Sequence, residues 1–302
     1  MSTRREVTAM DGFDQALALL PWELRRAAMG LDERERKAAE ELRLRVGYEP
    51  TYLSPDGERS FCQGVKLTAR ELESVLEIAT GASVHSSADS VRRGFITVKG
   101  GCRIGLCGTA VMGDKGISGI KELSSVAIRI PREMKGCAGG IFQRLISGGF
   151  LSTIIISPPG VGKTTLLREL VRLLSLRGNR VSLADERGEV AAVWKGTPQF
   201  DVGPHTDVLT GAPKAESALL LLRAMNPQII ALDEITAPED VQACKSAANC
   251  GVKLLATAHG DGVADLRGRA LYRELLDAGV FSRAIVIRKE NGRRVYEIEG
   301  LA

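Results

Sequence analysis

The sequence predicts an α/β chain in two parts, a smaller α+β domain over residues 1–135 and a larger domain with a mostly parallel sheet over residues 136–302. Three observations predict it. From Leu151 onward, short apolar β-branched runs alternate with helical patterns, the sign of a parallel sheet. Before residue 135, helices and hairpins are mixed without that alternation. Between the two, Gly139-Gly140 and Gly148-Gly149 bracket a short helix, Ile141–Ile146, where the chain divides. At 302 residues, 44% hydrophobic and 26% charged, the chain is long enough to bury two cores.

Residues 12–46 read as helical, with Leu17, Leu19, Leu20, Leu24 and Leu31 on the apolar face and Pro21 opening a second helix. Asp32–Arg45 carries Glu and Arg three and four apart, the pattern of a solvated helix face. Tyr48–Leu53 and Arg59–Lys66 read as strands around the Pro55-Asp56-Gly57 turn. Thr68–Thr80 is a helix opened by a Thr68/Glu71 capping box and stopped by Gly81. A second helix, Ser87–Arg93, ends at Gly94. Phe95–Val98 and Cys102–Val111 form a hairpin on Lys99-Gly100-Gly101, and Ile120–Ile130 is a strand closed by Pro131. Arg103 and Arg129 stand within otherwise apolar strands, where a charge needs a partner.

In the second domain, Thr153–Ile156, Arg180–Ala184, Gln228–Leu232 and Val252–Thr257 read as strands. Leu166–Leu176, Ser217–Met225, Pro238–Asn249 and Ala264–Ala278 read as helices. The last element is a hairpin, Ala284–Arg288 with Arg294–Glu299, around Asn291-Gly292.

The chemistry begins where the first of these strands meets its helix, in Ser157-Pro158-Pro159-Gly160-Val161-Gly162-Lys163-Thr164-Thr165. The prolines stop the strand. The glycines let the backbone turn sharply and aim its N–H groups at an anion, and the following helix adds its positive dipole end. Lys163 reaches β- and γ-phosphates, and Thr164 offers a hydroxyl to Mg²⁺. Ser157 stands where the usual G-x-x-x-x-G-K-[ST] pattern has its first glycine. Ile229-Ile230-Ala231-Leu232 is a buried strand whose end carries Asp233, a Mg²⁺ ligand, and Glu234, which orients and deprotonates water. Asp185, Glu186 and Glu189 follow another strand and either hold metal-bound water or form a solvated loop. His259 ends a third strand and either senses the γ-phosphate or is satisfied by a backbone carbonyl.

Composition excludes several classes. Net charge is only +4 and aromatics are 4%, which argues against a nucleic-acid binder. No apolar run is long enough for a transmembrane helix, and no signal-peptide h-region precedes Asp11, so a cytoplasmic location is expected. The six cysteines form no C-x-x-C and have no ligand spacing with His85, His205 or His259, so they are expected to be reduced.

With these residues in hand, the C-terminal half resembles the ATPases of bacterial type II and type IV secretion and pilus systems. Ser157–Thr165 matches their nucleotide loop, Asp185–Glu189 their acidic box, Leu222-Arg223-Ala224-Met225-Asn226-Pro227-Gln228 their lead into Walker B, and Thr257–His259 their histidine box. Ile235-Thr236 departs from their Arg-Asp, and the acidic box is rearranged. The whole chain is similar to a sporulation branch of that superfamily, the stage III AA proteins. The similarity rests on Glu41–Arg45, Gly101-Cys102-Arg103-Ile104-Gly105-Leu106-Cys107-Gly108, Ile128-Arg129-Ile130-Pro131, the nucleotide loop and Asp185–Glu189.

The resemblance implies a RecA-like domain that uses ATP and Mg²⁺, and a homo-hexamer with nucleotide between neighbouring subunits. It also implies a peripheral position, on the mother-cell side, at membrane-embedded proteins of a sporulation channel. In that setting Arg103 and Arg129 are the candidates to neutralise phosphate charge, in cis or across the subunit interface. One rival is a nucleic-acid-stimulated P-loop ATPase, a helicase or its loader, because the same ATP core serves both. Another is a scaffold that binds nucleotide without turning it over, against which Glu234 argues.

Overall fold

Alternation at a period of two decides the N-terminal architecture. In β1 (Glu41–Arg45), Leu42 and Leu44 are fully buried while Glu41, Arg43 and Arg45 face outward. The segment expected as the end of a charged helix is therefore a strand. Its Glu and Arg spacing fits a helix, but pairing on both sides, with β2 (Thr51–Ser54) and β6 (Gly116–Arg129), outweighs local propensity. The computed structural model describes residues 12–81, 94–114, 116–290 and 293–301. The expected helix Ser87–Arg93, and with it Arg92, Arg93 and His85, lies outside the described residues.

The chain separates into two units, Met1–Arg132 and Glu133–Ala302. In the first, β3 (Gly57–Ser60), β4 (Phe95–Thr97) and β5 (Arg103–Gly113) complete an antiparallel sheet in the order β3-β2-β1-β6-β5-β4. Helices α1 (Gly12–Leu17), α2 (Trp22–Ala28), α3 (Glu33–Ala38) and α4 (Ala69–Thr80) accompany it. Its core gathers Leu20, Leu42, Leu44, Leu72, Ile104 and Ile128. At the start of α4 the Glu71 carboxylate accepts from the Thr68 amide at 2.8 Å, and Gly81 closes the helix at φ 60°. The strand expected to run to Lys66 stops at Ser60.

In the second unit the sheet runs β13-β12-β7-β11-β10-β8-β9. The strands are β7 (Thr153–Ser157), β8 (Val181–Asp185), β9 (Thr206–Thr210), β10 (Ile229–Leu232), β11 (Lys253–His259), β12 (Arg283–Glu290) and β13 (Arg293–Gly300). All pairs are parallel except β12 with β13. Their buried side chains divide by parity. Ile154, Ile156, Ile230 and Leu232 pack with α7 (Lys214–Ala224), α8 (Pro238–Asn249) and α10 (Ala270–Asp277). Ile155, Leu183, Ile229 and Ala231 pack with α5 (Gly139–Ile146) and α6 (Lys163–Leu176). Helices thus cover both faces of strands that are apolar throughout, as a central parallel sheet requires.

Two elements differ from expectation. Strand β9 is a partly exposed edge with Asp207 in it, and carries too weak an apolar signal to be read. The expected helix Ala264–Ala278 is broken into α9 (Val263–Gly268) and α10, because Arg269 is extended (φ −99°, ψ 126°). The Arg269 guanidinium donates to the His259 carbonyl at 2.9 Å and pairs with Asp265 at 2.7 Å. Asn291-Gly292 lies outside the described residues, although Glu290 pairs with Arg293 on either side of it.

Candidate active site

Parallel register brings the strand ends together. Ser157 of β7 pairs with His259 of β11, and Leu232 of β10 lies between Ala184 of β8 and Ala256 of β11. The residues that leave these strands share one end of the sheet, where open α/β sheets place their ligands.

After β7, Gly160 (φ 73°) and Gly162 (φ 114°) turn the backbone through the left-handed region. No side chain caps α6, so its first-turn amides and its positive dipole end belong to this loop. Lys163 is buried at the start of that helix. Its Nζ donates to the Ser157 carbonyl at 3.4 Å and meets His259 Nδ1 at 2.7 Å. An ammonium only donates, so Nδ1 accepts and the ring proton belongs on Nε2. Nε2 lies 2.8 Å from Glu234 Oε2. The result is a chain from lysine through histidine to carboxylate. Burial lowers the Lys163 pKa, and the charges of Glu234 and Asp233 work against that shift.

Asp233 Oδ1 accepts from Thr257 Oγ1 at 3.3 Å. Burial pushes its carboxyl above the usual range, against the Glu234 amide, and the charges of Asp185 and Glu189 push it further. A desolvated carboxylate such as Asp233 is the kind of oxygen donor that a hard divalent cation takes. Among the described residues no group of three or more His, Cys, Asp or Glu forms a complete metal cage. Thr164 stands in the first turn of α6, partly exposed.

The acidic box separates into three parts. Asp185 is fully buried and accepts from the Glu189, Val190 and Ala191 amides at 3.0, 3.2 and 2.8 Å, so it folds the loop that follows. Burial pushes its carboxyl up, against those three bonds. Glu186 pairs with Lys214 at 2.7 Å, and Lys214 lies 3.9 Å from Asp240. Glu189 gives its carbonyl to Arg168 Nη2 at 2.8 Å, while Arg168 Nε donates to Val190 and its guanidinium covers the Phe200 ring at 3.9 Å.

Arg103 and Arg129 belong to the N-terminal unit, opposite one another on β5 and β6. The Arg103 guanidinium lies 3.6 Å from the Phe95 ring centre, and Arg129 Nε lies 3.4 Å from Glu41. Two further contacts escape sequence reading. The Tyr272 hydroxyl donates to the carbonyl of Ile235, the residue after Glu234, at 2.6 Å. The Arg294 guanidinium lies against Gly162, 2.8 Å from where a Cβ would stand. The sequence signal for Arg294 is alternation, since Arg294, Tyr296 and Ile298 share one face of β13.

The family model for sporulation stage III, protein AA matches residues 10–301. The stage III sporulation protein AA of Bacillus subtilis (strain 168) is 31% identical over 299 residues, covering 93% of this chain and 94% of that protein. The chain belongs to the stage III AA sporulation family. Among solved structures, the stage III AA fold is similar to the ATPase DotB of Yersinia pseudotuberculosis (TM-score 0.60, 14% identity, 93% of this chain and 80% of that one). It is also similar to the DotB ATPase of Legionella pneumophila (TM-score 0.58, 16% identity, 98% and 82%). The pilus retraction motor PilT, solved with ADP, gives a TM-score of 0.59 at 16% identity over 89% of this chain and 83% of that one. At these identities the likeness is one of fold. Among the described residues no helix is long and apolar enough to cross a membrane.

Proposed function

We propose that the chain is a Mg²⁺-dependent ATPase whose domain 136–302 hydrolyses ATP and whose domain 1–135 transmits the resulting movement. The single observation that carries this reading is the Lys163–His259–Glu234 chain, set between a left-handed glycine loop and Asp233. The amides of residues 160–165 and the Lys163 ammonium hold the phosphates, with Ser157, Pro158 and Pro159 shaping the loop before them. Thr164 and Asp233 hold Mg²⁺, which when bound neutralises charge on the β- and γ-phosphates. Glu234 takes the proton of the attacking water, and His259 Nε2 orients that carboxylate. Asp185, Glu186 and Glu189 tie the neighbouring loop to the γ-phosphate state.

The assembly in this proposal is a homo-hexamer, peripheral to a sporulation channel, with Arg103 and Arg129 as cations of the N-terminal unit facing a neighbouring subunit. Its support is membership of the sporulation family together with the fold shared with the DotB ATPase and the pilus retraction motor PilT. The test is Glu234→Gln. Turnover is expected to fall about 10²- to 10⁴-fold while ATP binding persists. A variant that hydrolyses ATP at the wild-type rate removes Glu234 from its role. Mass measurement of the same variant with and without Mg²⁺ and ATP tests the ring; a monomer under both conditions overturns it.

A further inference from the structure

Beside the glycine loop lies a cavity of about 710 Å³. One wall is Pro159, Gly160 and Val161. The C-terminal hairpin also lines the cavity, contributing Lys289, Arg293, Arg294 and Tyr296. Three cations and a phenol thus meet a phosphate-type loop, and no carboxylate lines the space. The strand register explains the arrangement. Lys289 pairs with Arg294 and Ile287 with Tyr296 across β12 and β13, so these four share one face of the hairpin. Ile287 and Tyr296 anchor that face in the core that also contains Val161. Arg294 is thereby carried over the loop until its guanidinium lies where a Cβ of Gly162 would clash. A planar cation beside a helix N-terminus and an aromatic ring lining the same cavity suit an anion joined to a flat heterocycle.

We propose that this cavity takes the nucleoside half of the nucleotide, with Tyr296 against the base and Arg294 as a phosphate ligand supplied by the same chain. The inference rests on the ATPase reading above and adds to it a cation from the hairpin, in the same unit as Lys163. It predicts that a ligand in the cavity covers Cys137, which lines the same space. Cys250 is exposed in the same unit and serves as the internal reference.

The experiment uses the full chain with Mg²⁺ and ADP as the probe. Alkylation of Cys137 by iodoacetamide, followed by peptide mass mapping, is expected to slow several-fold with saturating ADP while Cys250 reacts unchanged. In parallel, Arg294→Gln is expected to weaken ADP binding about tenfold at an unchanged thermal midpoint, with part of the affinity restored in Arg294→Lys. If wild type binds ADP, loses that binding in Lys163→Ala, and yet shows no protection of Cys137, the cavity assignment falls alone. Wild-type affinity in Arg294→Gln removes the arginine from the phosphates. Should wild type bind no nucleotide at all, the ATPase reading falls and takes this inference with it.

Discussion

The ammonium of Lys163 lies 2.7 Å from Nδ1 of His259, a residue 96 positions later in the chain. That contact fixes the imidazole as the Nε2–H form and aims its proton at Glu234. His259→Ala therefore releases the lysine and removes the donor that orients the carboxylate. The expected outcome is a fall in kcat of about tenfold or more, near 1.4 kcal/mol per tenfold, with a smaller change in KM. Nitrogen-15 spectra of the imidazole check the tautomer directly; an Nδ1–H signal contradicts the assignment.

Tyr272 holds the backbone one residue beyond Glu234. Its hydroxyl donates to the Ile235 carbonyl at 2.6 Å, and burial, then the charge of Glu234, push its pKa up to about 12. Only the neutral phenol donates. A tyrosine near 10 when unfolded and near 12 when folded stabilises the fold fully below pH 10, and the contribution is lost as pH rises toward 12. Tyr272→Phe leaves a buried carbonyl unpaired and costs about 1–3 kcal/mol. In thermal unfolding, the gap between wild type and Tyr272→Phe is expected to be constant from pH 7 to 9 and to close above pH 10.

Asp185 belongs to the loop more than to open solvent. Three amides converge on its two oxygens. Asn at this position has one acceptor oxygen, and its amide nitrogen faces a donor. Asp185→Asn is expected to lower stability by about 1–3 kcal/mol, measured as a fall in the denaturant midpoint at unchanged slope. An unchanged midpoint assigns the carboxylate to ligand chemistry instead.

How much of this was legible in the residues follows from which interactions are local. The glycine loop, β10 with Asp233-Glu234, and the cap of α4 are set by neighbours within a few positions, and their patterns read directly. Strand β1 reads as the end of a helix because Glu41 and Arg45 stand four apart and continue the charge pattern that begins at Asp32. Its pairing with Thr51–Leu53 on one side and with Ser125–Arg129, eighty or more residues away, on the other selects the strand. The break at Arg269 depends on the His259 carbonyl, which local helix signals do not contain. The acidic box is visible in the sequence but its division is not, because nothing in Asp185–Glu189 announces that one carboxylate caps amides while the next reaches Lys214. The hairpin was found as a hairpin. Its cations became part of a site only when β12 joined β7 and carried Arg294 to the loop.

Gly162 joins two requirements that one double substitution separates. Its φ of 114° is a conformation that side chains disfavour, and a Cβ there meets the Arg294 guanidinium at 2.8 Å. Gly162→Ala thus imposes backbone strain of about 1–3 kcal/mol together with a displaced arginine. Arg294→Ala in the same chain removes the clash but leaves the strain. If the contact contributes, the double variant is less destabilised than the sum of the two single variants, by about 0.5 kcal/mol or more in a cycle measured by denaturant unfolding. Additive losses within about 0.3–0.5 kcal/mol mean that the arginine moves aside freely and that φ alone demands glycine. Nucleotide affinity should stay low in the double variant under either result, because the strained loop still misdirects its amides.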